Sequence, residues 1–455
     1  MTMPTVGPRP QVHEARPWHF PRPQVQPLAN GMQVWAFQLP GQHVLSVQLV
    51  MDIALADEPP GLDGVATLAL RGSDEGSRTH PGFELARRIE DIGAAYDGNA
   101  GWWGTAAGIS VAAPQARDGL QLLHEIVREP LYAPDDIERH RAIRLAEIER
   151  SRLNSAVLAG AAVREAMWPT ASRQALAAGG SASGIEASDE HAIHEFHDRW
   201  WRPEGATLVL AGDLPEGLTQ AACELFGAWP ATGLRPDRTA PEGHGGSPTI
   251  RVVDRPGAVA ADLQIGLITP GRQHPDWARM QVATMCLGGL FGSRLNLVLR
   301  EQRGYTYGVQ AGLHAGRFNG TFSVRSSFRT EVAARACREV VNLLDVAAQP
   351  LDEHETGDAV RYLSGIAPLR YDTAEAIAEQ ASVLAAHQVS PGWIDELHAR
   401  IASTSAEQAS AAFARHIGTA VARGGAHIAL CGDAATLAPQ LESQGFGVEL
   451  VTPTL

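Results

Sequence analysis

Only four of the 455 residues are cysteine, Cys223, Cys286, Cys337 and Cys431, and no two form a CxxC pair. A disulfide framework and a zinc ribbon are thereby excluded, and the four are expected to be free, buried thiols of a cytosolic protein. An excess of positive charge is missing too. The net charge is -14, which argues against a nucleic-acid surface. No stretch approaches the roughly 20 consecutive apolar residues that a membrane-spanning helix needs. Residues 1–27 are rich in proline and polar side chains and have no apolar core between a basic start and a small-residue cleavage site, so they read as an extended arm rather than a signal peptide. A soluble, cytoplasmic protein without nucleic-acid or membrane partners is expected. The chain has no P-loop, no Gly-x-Gly-x-x-Gly opening a helix and no nucleophile elbow.

What is present is periodic. Asn30-Gly31 is a tight-turn pair ahead of an apolar strand over 32–37, and 44–51 reads as a second strand. Helical spacing follows over 64–71, over 83–93 with Phe83, Ala86, Ile89 and Ile92 on one face, over 120–127, and over about 135–153, where early acidic residues suit a helix N-terminus. Strands are expected between Trp102 and Ala113 and over 206–213. That last string, Ala206-Thr207-Leu208-Val209-Leu210-Ala211-Gly212-Asp213, is echoed by Ala426-His427-Ile428-Ala429-Leu430-Cys431-Gly432-Asp433. A second echo pairs Val65-Ala66-Thr67-Leu68 with Val282-Ala283-Thr284-Met285. Residues 231–248, rich in Gly, Pro, Thr and Asp, lack periodicity and read as a linker. The expected architecture is α+β: two similar domains, 28–230 and 249–455, each a mainly antiparallel sheet packed with helices, preceded by the arm 1–27 and joined by the linker.

The most informative stretch is 288–308. A small-residue turn leads into a helix with Leu295, Val298 and Leu299 on one face, and Gly304 stops it before an aromatic strand. Arg300 ends that helix and Tyr307 lies just past the glycine, so a guanidinium and a phenol can converge on a peptide carbonyl or a developing oxyanion. The plainer reading is a surface arginine beside a core tyrosine. The surrounding string changes the balance: Ser293-Arg294-Leu295, then Leu299-Arg300-Glu301-Gln302-Arg303-Gly304 and Tyr307, closely resembles the second-domain signature of the insulinase/pitrilysin family of zinc metallopeptidases. The resemblance covers almost the whole chain after the arm and implies two such halves per chain. It also implies that Arg300 and Tyr307 hold substrate at a zinc site in another half.

In active members of that family the first helix carries His-x-x-Glu-His, two histidines binding zinc beside a glutamate base, with a distal glutamate as third ligand. Matching 61–73 to that pattern puts Gly64 and Leu68 where the histidines would be and Thr67 where the base would be. Glycine has no donor atom, leucine is a hydrocarbon, and a threonine hydroxyl is too weak a base. Glu147 matches the distal ligand and reads either as a relic or as a solvated charge. His191, His194, Glu195 and His197 form the densest alternative cluster but carry no zinc-peptidase string, and an exposed polar helix is the simpler account. His354 lacks a partner at ligand spacing.

The resemblance therefore implies one half of a split active site: a chain that holds no metal or cofactor of its own and is inactive alone. It would supply Arg300 and Tyr307 in trans to a homologous partner that carries His-x-x-Glu-His and zinc. Its substrates would be peptides, such as presequence-like or leader peptides, for processing or degradation. Two alternatives remain, a purely structural pseudopeptidase subunit and a self-sufficient hydrolase using the histidine cluster.

Overall fold

The computed structural model describes residues 18–234 and 238–454. Strands β1 (Gln24–Pro27), β2 (Gln33–Gln38), β3 (Val44–Met51), β4 (Ala95–Ala100), β5 (Thr105–Ala112) and β6 (Thr207–Gly212) form one six-stranded sheet in the order β1-β2-β6-β3-β5-β4. β7 (Thr249–Asp254), β8 (Ala260–Pro270), β9 (Val309–His314), β10 (Asn319–Arg329), β11 (His427–Gly432) and β12 (Gly447–Leu450) form the second, ordered β12-β7-β11-β8-β10-β9. Both sheets are mixed. β6 lies parallel to β2 and antiparallel to β3, and β11 makes the same two pairings with β7 and β8. The two echoing strings thus occupy equivalent central strands. Every residue of β6 and of β11 is buried, as a continuous apolar run in a sheet covered on both faces should be. The second echo falls on equivalent helices, Val65–Gly72 and Trp277–Thr284.

Each sheet is covered on one face by a helix from the other half of the chain. Ser155–Met167 places Ala159, Ala162, Val163 and Met167 against Val253, Ala429 and Cys431 of the second sheet. Ala374–Ala386 places Ile377, Ala378, Ala381 and Leu384 against Trp35, Phe37, Val209 and Ala211 of the first. Both helices are alanine-rich on the buried side, which lets a helix lie close to a sheet of large β-branched and aromatic residues.

Several expectations need correction. The arm 1–27 falls outside the described residues up to 17. Beyond that point it is docked: Phe20 is buried against Phe37 and Tyr371, and Gln24–Pro27 is strand β1. In the helix Phe83–Asp91, Phe83 is 93% exposed, while Leu85 and the flanking Ile92 are buried, so the packed face is rotated from the one expected. The aromatic residues after Gly304 precede the strand, which begins at Val309. Cys223 is half-buried, with Sγ 2.9 Å from Gln26 Oε1, unlike the other three buried thiols. Trp277–Gln302 is a helical run of 26 residues long and apolar enough by composition to cross a bilayer, contrary to the reading that no such stretch exists. Its Met280, Val282, Leu287, Leu295 and Leu299 are fully buried in the second core, and a non-helical turn at 290–293 interrupts it.

The linker is held down as well. Arg238 donates to the carboxylates of Asp52 and Asp57 and, at 2.8 Å, to the Asp52 carbonyl. Arg317, from the second half, reaches the same Asp52 carboxylate at 3.1 Å. One half-buried carboxylate therefore ties the linker and both halves together.

Candidate functional site

Arg300 and Tyr307 sit on a segment whose shape is set by Asn296. Its Nδ2 donates to the carbonyls of Leu290 and Val309 and to Ser293 Oγ, each at 3.1 Å, and its Oδ1 accepts from Val309 N at 2.8 Å. A single buried amide thus fastens the turn before the helix to the strand after it. Between those anchors, Leu297–Gln302 winds in wide π-type turns, with Arg303 N bonded to Val298 O at 3.0 Å. Such turns are uncommon and cluster at functional sites. Gly304, at φ +62°, then reverses the chain in a conformation that disfavours a Cβ.

The two tyrosines after the glycine part company. Tyr305 packs against the core of the second domain, whereas Tyr307 is 100% exposed. Thr306 Oγ1 holds the intervening residue, lying 3.0 Å from Ser326 Oγ and accepting from Gly308 N at 3.1 Å. Arg300 lies over the Phe291 ring, 3.9 Å from its centroid, and its Nε is 3.3 Å from Glu301 Oε1. Phe291 is itself 73% exposed. A guanidinium on an exposed ring with one sequence-adjacent carboxylate is weakly held. Among the described residues, no hydrogen bond or ion pair joins Arg300 or Tyr307 to each other or to the first domain.

The helix Val65–Gly72 is the one on which the resemblance would place a zinc motif. Gly64 precedes it at φ +105°, and a Cβ there would lie 2.5 Å from Ile185 Cδ1 and 3.0 Å from the Gly179 carbonyl oxygen. Leu68 is fully buried in the first core. Thr67 is half-buried. At the helix N-terminus, Glu58 Oε1 accepts from Gly64 N and Ala66 N, both at 3.0 Å, and Oε2 accepts from Arg173 Nε at 2.5 Å. Burial pushes the Glu58 carboxyl up from its usual range, against the pull of Arg173 and the two amides. A carboxylate at a helix N-terminus is the arrangement the helix dipole favours.

Glu147 does face this helix, but it binds arginine. Its two oxygens accept from Arg71 Nη1 and Nη2 at 3.2 and 3.1 Å, and Oε2 also accepts from Arg144 Nη1 at 3.0 Å. Burial alone would raise its carboxyl; the two guanidiniums outweigh that and hold it below the usual range. Gly64, Thr67, Leu68 and Glu147 thus form a glycine turn, a packed apolar face and an ion pair, with no set of metal ligands.

The histidine cluster is a polar helix face. His191 pairs with Glu195 at 3.3 Å and is 80% exposed, while the buried His197 bonds the Val127 carbonyl at 2.9 Å. His354 pairs with Asp358 at 3.5 Å. Among the described residues, potential metal ligands converge at His274, Asp276 and His416, whose ligand atoms lie within 4.8 Å of one another. There Asp276 accepts from Arg279 at 2.7 Å, Arg415 at 2.9 Å and His416 at 3.0 Å. Two guanidiniums already neutralise the carboxylate, so the cluster is an ion-pair knot that repels a cation.

Residues 190–363 match a family model described as the peptidase M16 inactive domain. The chain is 26% identical over 351 residues to an uncharacterized zinc protease of Mycobacterium bovis, covering 75% of this chain and 79% of that one. It is 22% identical over 402 residues to an uncharacterized zinc protease of Streptomyces coelicolor, covering 84% and 85%. Among solved structures, a peptidase M16 inactive domain from Pseudomonas fluorescens superposes with a TM-score of 0.83 at 22% identity, covering 90% of this chain and 98% of that one. A protease from Helicobacter pylori gives 0.81 at 13% identity, covering 91% and 100%. The α+β fold and the resemblance carried by residues 293–307 are borne out.

Proposed function

We propose that this chain is a non-catalytic, peptidase-like member of the insulinase/pitrilysin family and the substrate-holding subunit of a heterodimeric zinc metallopeptidase. In this reading a homologous partner contributes His-x-x-Glu-His and its zinc. Arg300 and Tyr307 reach the partner's site and hold the scissile region of a peptide there, their hydrogen bonds strengthening as charge develops on the carbonyl oxygen. The zinc would supply the polarised water, and this chain would supply two donors.

The observation that carries the reading is the contrast between Tyr305 and Tyr307. A phenol 100% exposed, two residues from one packed in the core, has no work to do within this chain. Arg300 is only weakly held, its guanidinium over the exposed Phe291 ring and beside Glu301. The segment is firmly mounted through Asn296 and Thr306 while Tyr307 is unengaged and Arg300 loosely engaged, which is the combination a trans-acting pair requires.

The test is steady-state peptide cleavage by mixtures of this chain and a homologue bearing His-x-x-Glu-His. Removing one such donor typically costs on the order of a hundredfold in turnover. Arg300→Ala and Tyr307→Phe are each expected to show that loss with assembly and zinc content of the mixture unchanged, and Tyr305→Phe to matter far less. Lys at 300 should rescue poorly, since a point charge does not reproduce the guanidinium fork. Wild-type turnover with both variants would leave a purely structural subunit as the account.

A further inference from the structure

A second site is built where the crossing helix Ala374–Ala386 leaves the second domain. A cavity of 390 Å³ opens there, lined among others by Arg272, Gln281, Arg370, Tyr371, His387 and Trp393. Its size falls within the usual range for small-molecule sites. No aspartate or glutamate is among its lining residues, in a chain whose net charge is -14.

Arg272 is the unusual member. Its Nε is shut off from water and has no hydrogen-bond partner. Among the described residues it forms no ion pair, and its one close contact with a π-system is the Trp393 ring, 5.0 Å from the centroid. Gln281 Oε1, on the facing helix, is buried and unpartnered too. Arg272 as a whole is half-buried, so an Nε sealed from water with no acceptor leaves its charge partly desolvated and uncompensated within the chain. A second guanidinium, Arg370, stands exposed at the rim. The remaining polar groups offer no negative charge. Tyr371 Oη donates to Gln380 Oε1 at 3.1 Å, and His387 has Nδ1 2.6 Å from the Val383 carbonyl and Nε2 3.3 Å from that of Ala315, a neutral ring donating to one of the two. The nearby Asp395 faces the other way, accepting from Phe20 N at 3.0 Å. Burial, then the Arg272 guanidinium, lower the affinity of His387 for a proton; at His398 burial lowers it while Asp395 and Arg370 pull in opposite directions.

We propose that this cavity binds a small organic anion, its carboxylate or phosphate set against Arg272 and Arg370 and its flat apolar body among Trp393, Trp277 and Tyr371. The guanidinium fork matches two oxygens of either group. The aromatic walls select a ring or a planar chain over a bare ion. Because the lining includes the helix core of the second domain at Trp277 and Gln281 and the crossing helix at Gln380 and Val383, the bound anion would brace the two halves against each other.

The probes are 3-phenylpropanoate, phenyl phosphate, inorganic phosphate and the neutral 3-phenylpropanamide, titrated into the full chain with heat release and thermal midpoint as readouts. At least one of the two organic anions is expected to bind and raise the midpoint, and whichever binds more tightly tells carboxylate from phosphate. The amide should not bind, and inorganic phosphate should bind at least about tenfold more weakly. Arg272→Met is expected to weaken binding at least about tenfold while leaving the ligand-free midpoint unchanged or higher, because an uncompensated charge is removed. Arg370→Gln, exposed and safe for folding, should weaken it several-fold and carries the test if Arg272→Met fails to fold. Equal binding of the amide, no response of the wild type at about 10 mM of either organic anion, or unchanged affinity in Arg370→Gln and Arg272→Met would overturn the proposal. So would inorganic phosphate binding as tightly as phenyl phosphate. None of these outcomes bears on Arg300 or Tyr307.

Discussion

Gly64 stands where the family resemblance would put a zinc ligand, and its surroundings show why a histidine does not fit there. Two separate penalties apply to any side chain there. The residue sits at φ +105°, where an L-residue pays roughly 1–2 kcal/mol. Its Cβ would also fall 2.5 Å from Ile185 Cδ1 and 3.0 Å from the Gly179 carbonyl oxygen. The first neighbour is the end of a side chain but is fully buried, and the second is backbone. Overpacking of this kind costs about 1–3 kcal/mol. Gly64→Ala is therefore expected to destabilise the first domain by about 2–5 kcal/mol, taking the two terms together. Urea unfolding followed by the buried tryptophans measures it. Repeating the substitution in an Ile185→Ala background separates the terms, since the added cost should fall towards the backbone penalty of about 1–2 kcal/mol. A cost below about 0.5 kcal/mol, or one that Ile185→Ala does not reduce, would refute the reasoning. Gly64→His adds an imidazole to the same Cβ, so the triple variant Gly64→His, Thr67→Glu, Leu68→His should unfold the domain rather than take up stoichiometric zinc.

Two other outcomes follow from groups described above. Burial alone would raise the Asp276 carboxyl, but His416, Arg279 and Arg415 hold it below the usual range. A depressed folded-state value contributes stability that is full above the unfolded value near 3.9 and is lost as pH falls through the folded one. Urea midpoints between pH 6 and pH 3 should therefore drop more steeply for the wild type than for Asp276→Asn; parallel profiles would contradict this. With a thiol reagent, Cys223, half-buried, should react in the native chain. Cys286 and Cys337, which burial pushes up to about 12, should react only after unfolding, as mass mapping of the labelled residues would show.

The sequence carried the sheets well because their signal is local. A fully buried strand such as Thr207–Gly212 is a bare apolar run, and its echo at His427–Gly432 exposed the tandem organisation. Arg300 and Tyr307 were legible through the string around them. The exchanged helices were not, since Ala374–Ala386 reads as an ordinary alanine-rich helix and its contacts with Trp35 and Phe37 come from the far end of the sequence. Phe83 misled because its helix packs through Leu85 and the following Ile92. Glu58 and Arg238 were missed for a related reason. Each is a charged residue in a loop, where solvation is the usual expectation, and each is buried only because a partner more than 100 residues away arrives to meet it. The absence of lysine from the whole chain gave no fold signal, yet it leaves every cation of these buried pairs, histidine aside, a guanidinium.

The crossing of the two helices also sets a timetable for synthesis. The first sheet is complete once β6 has been made, but the helix that covers its face ends about 170 residues later. At ribosomal rates that is a wait of roughly 10–35 s, during which Trp35, Phe37 and Val209 lie open to water and to one another's copies on neighbouring ribosomes. The first half can therefore bury that face only after the crossing helix has been made, well past the middle of translation.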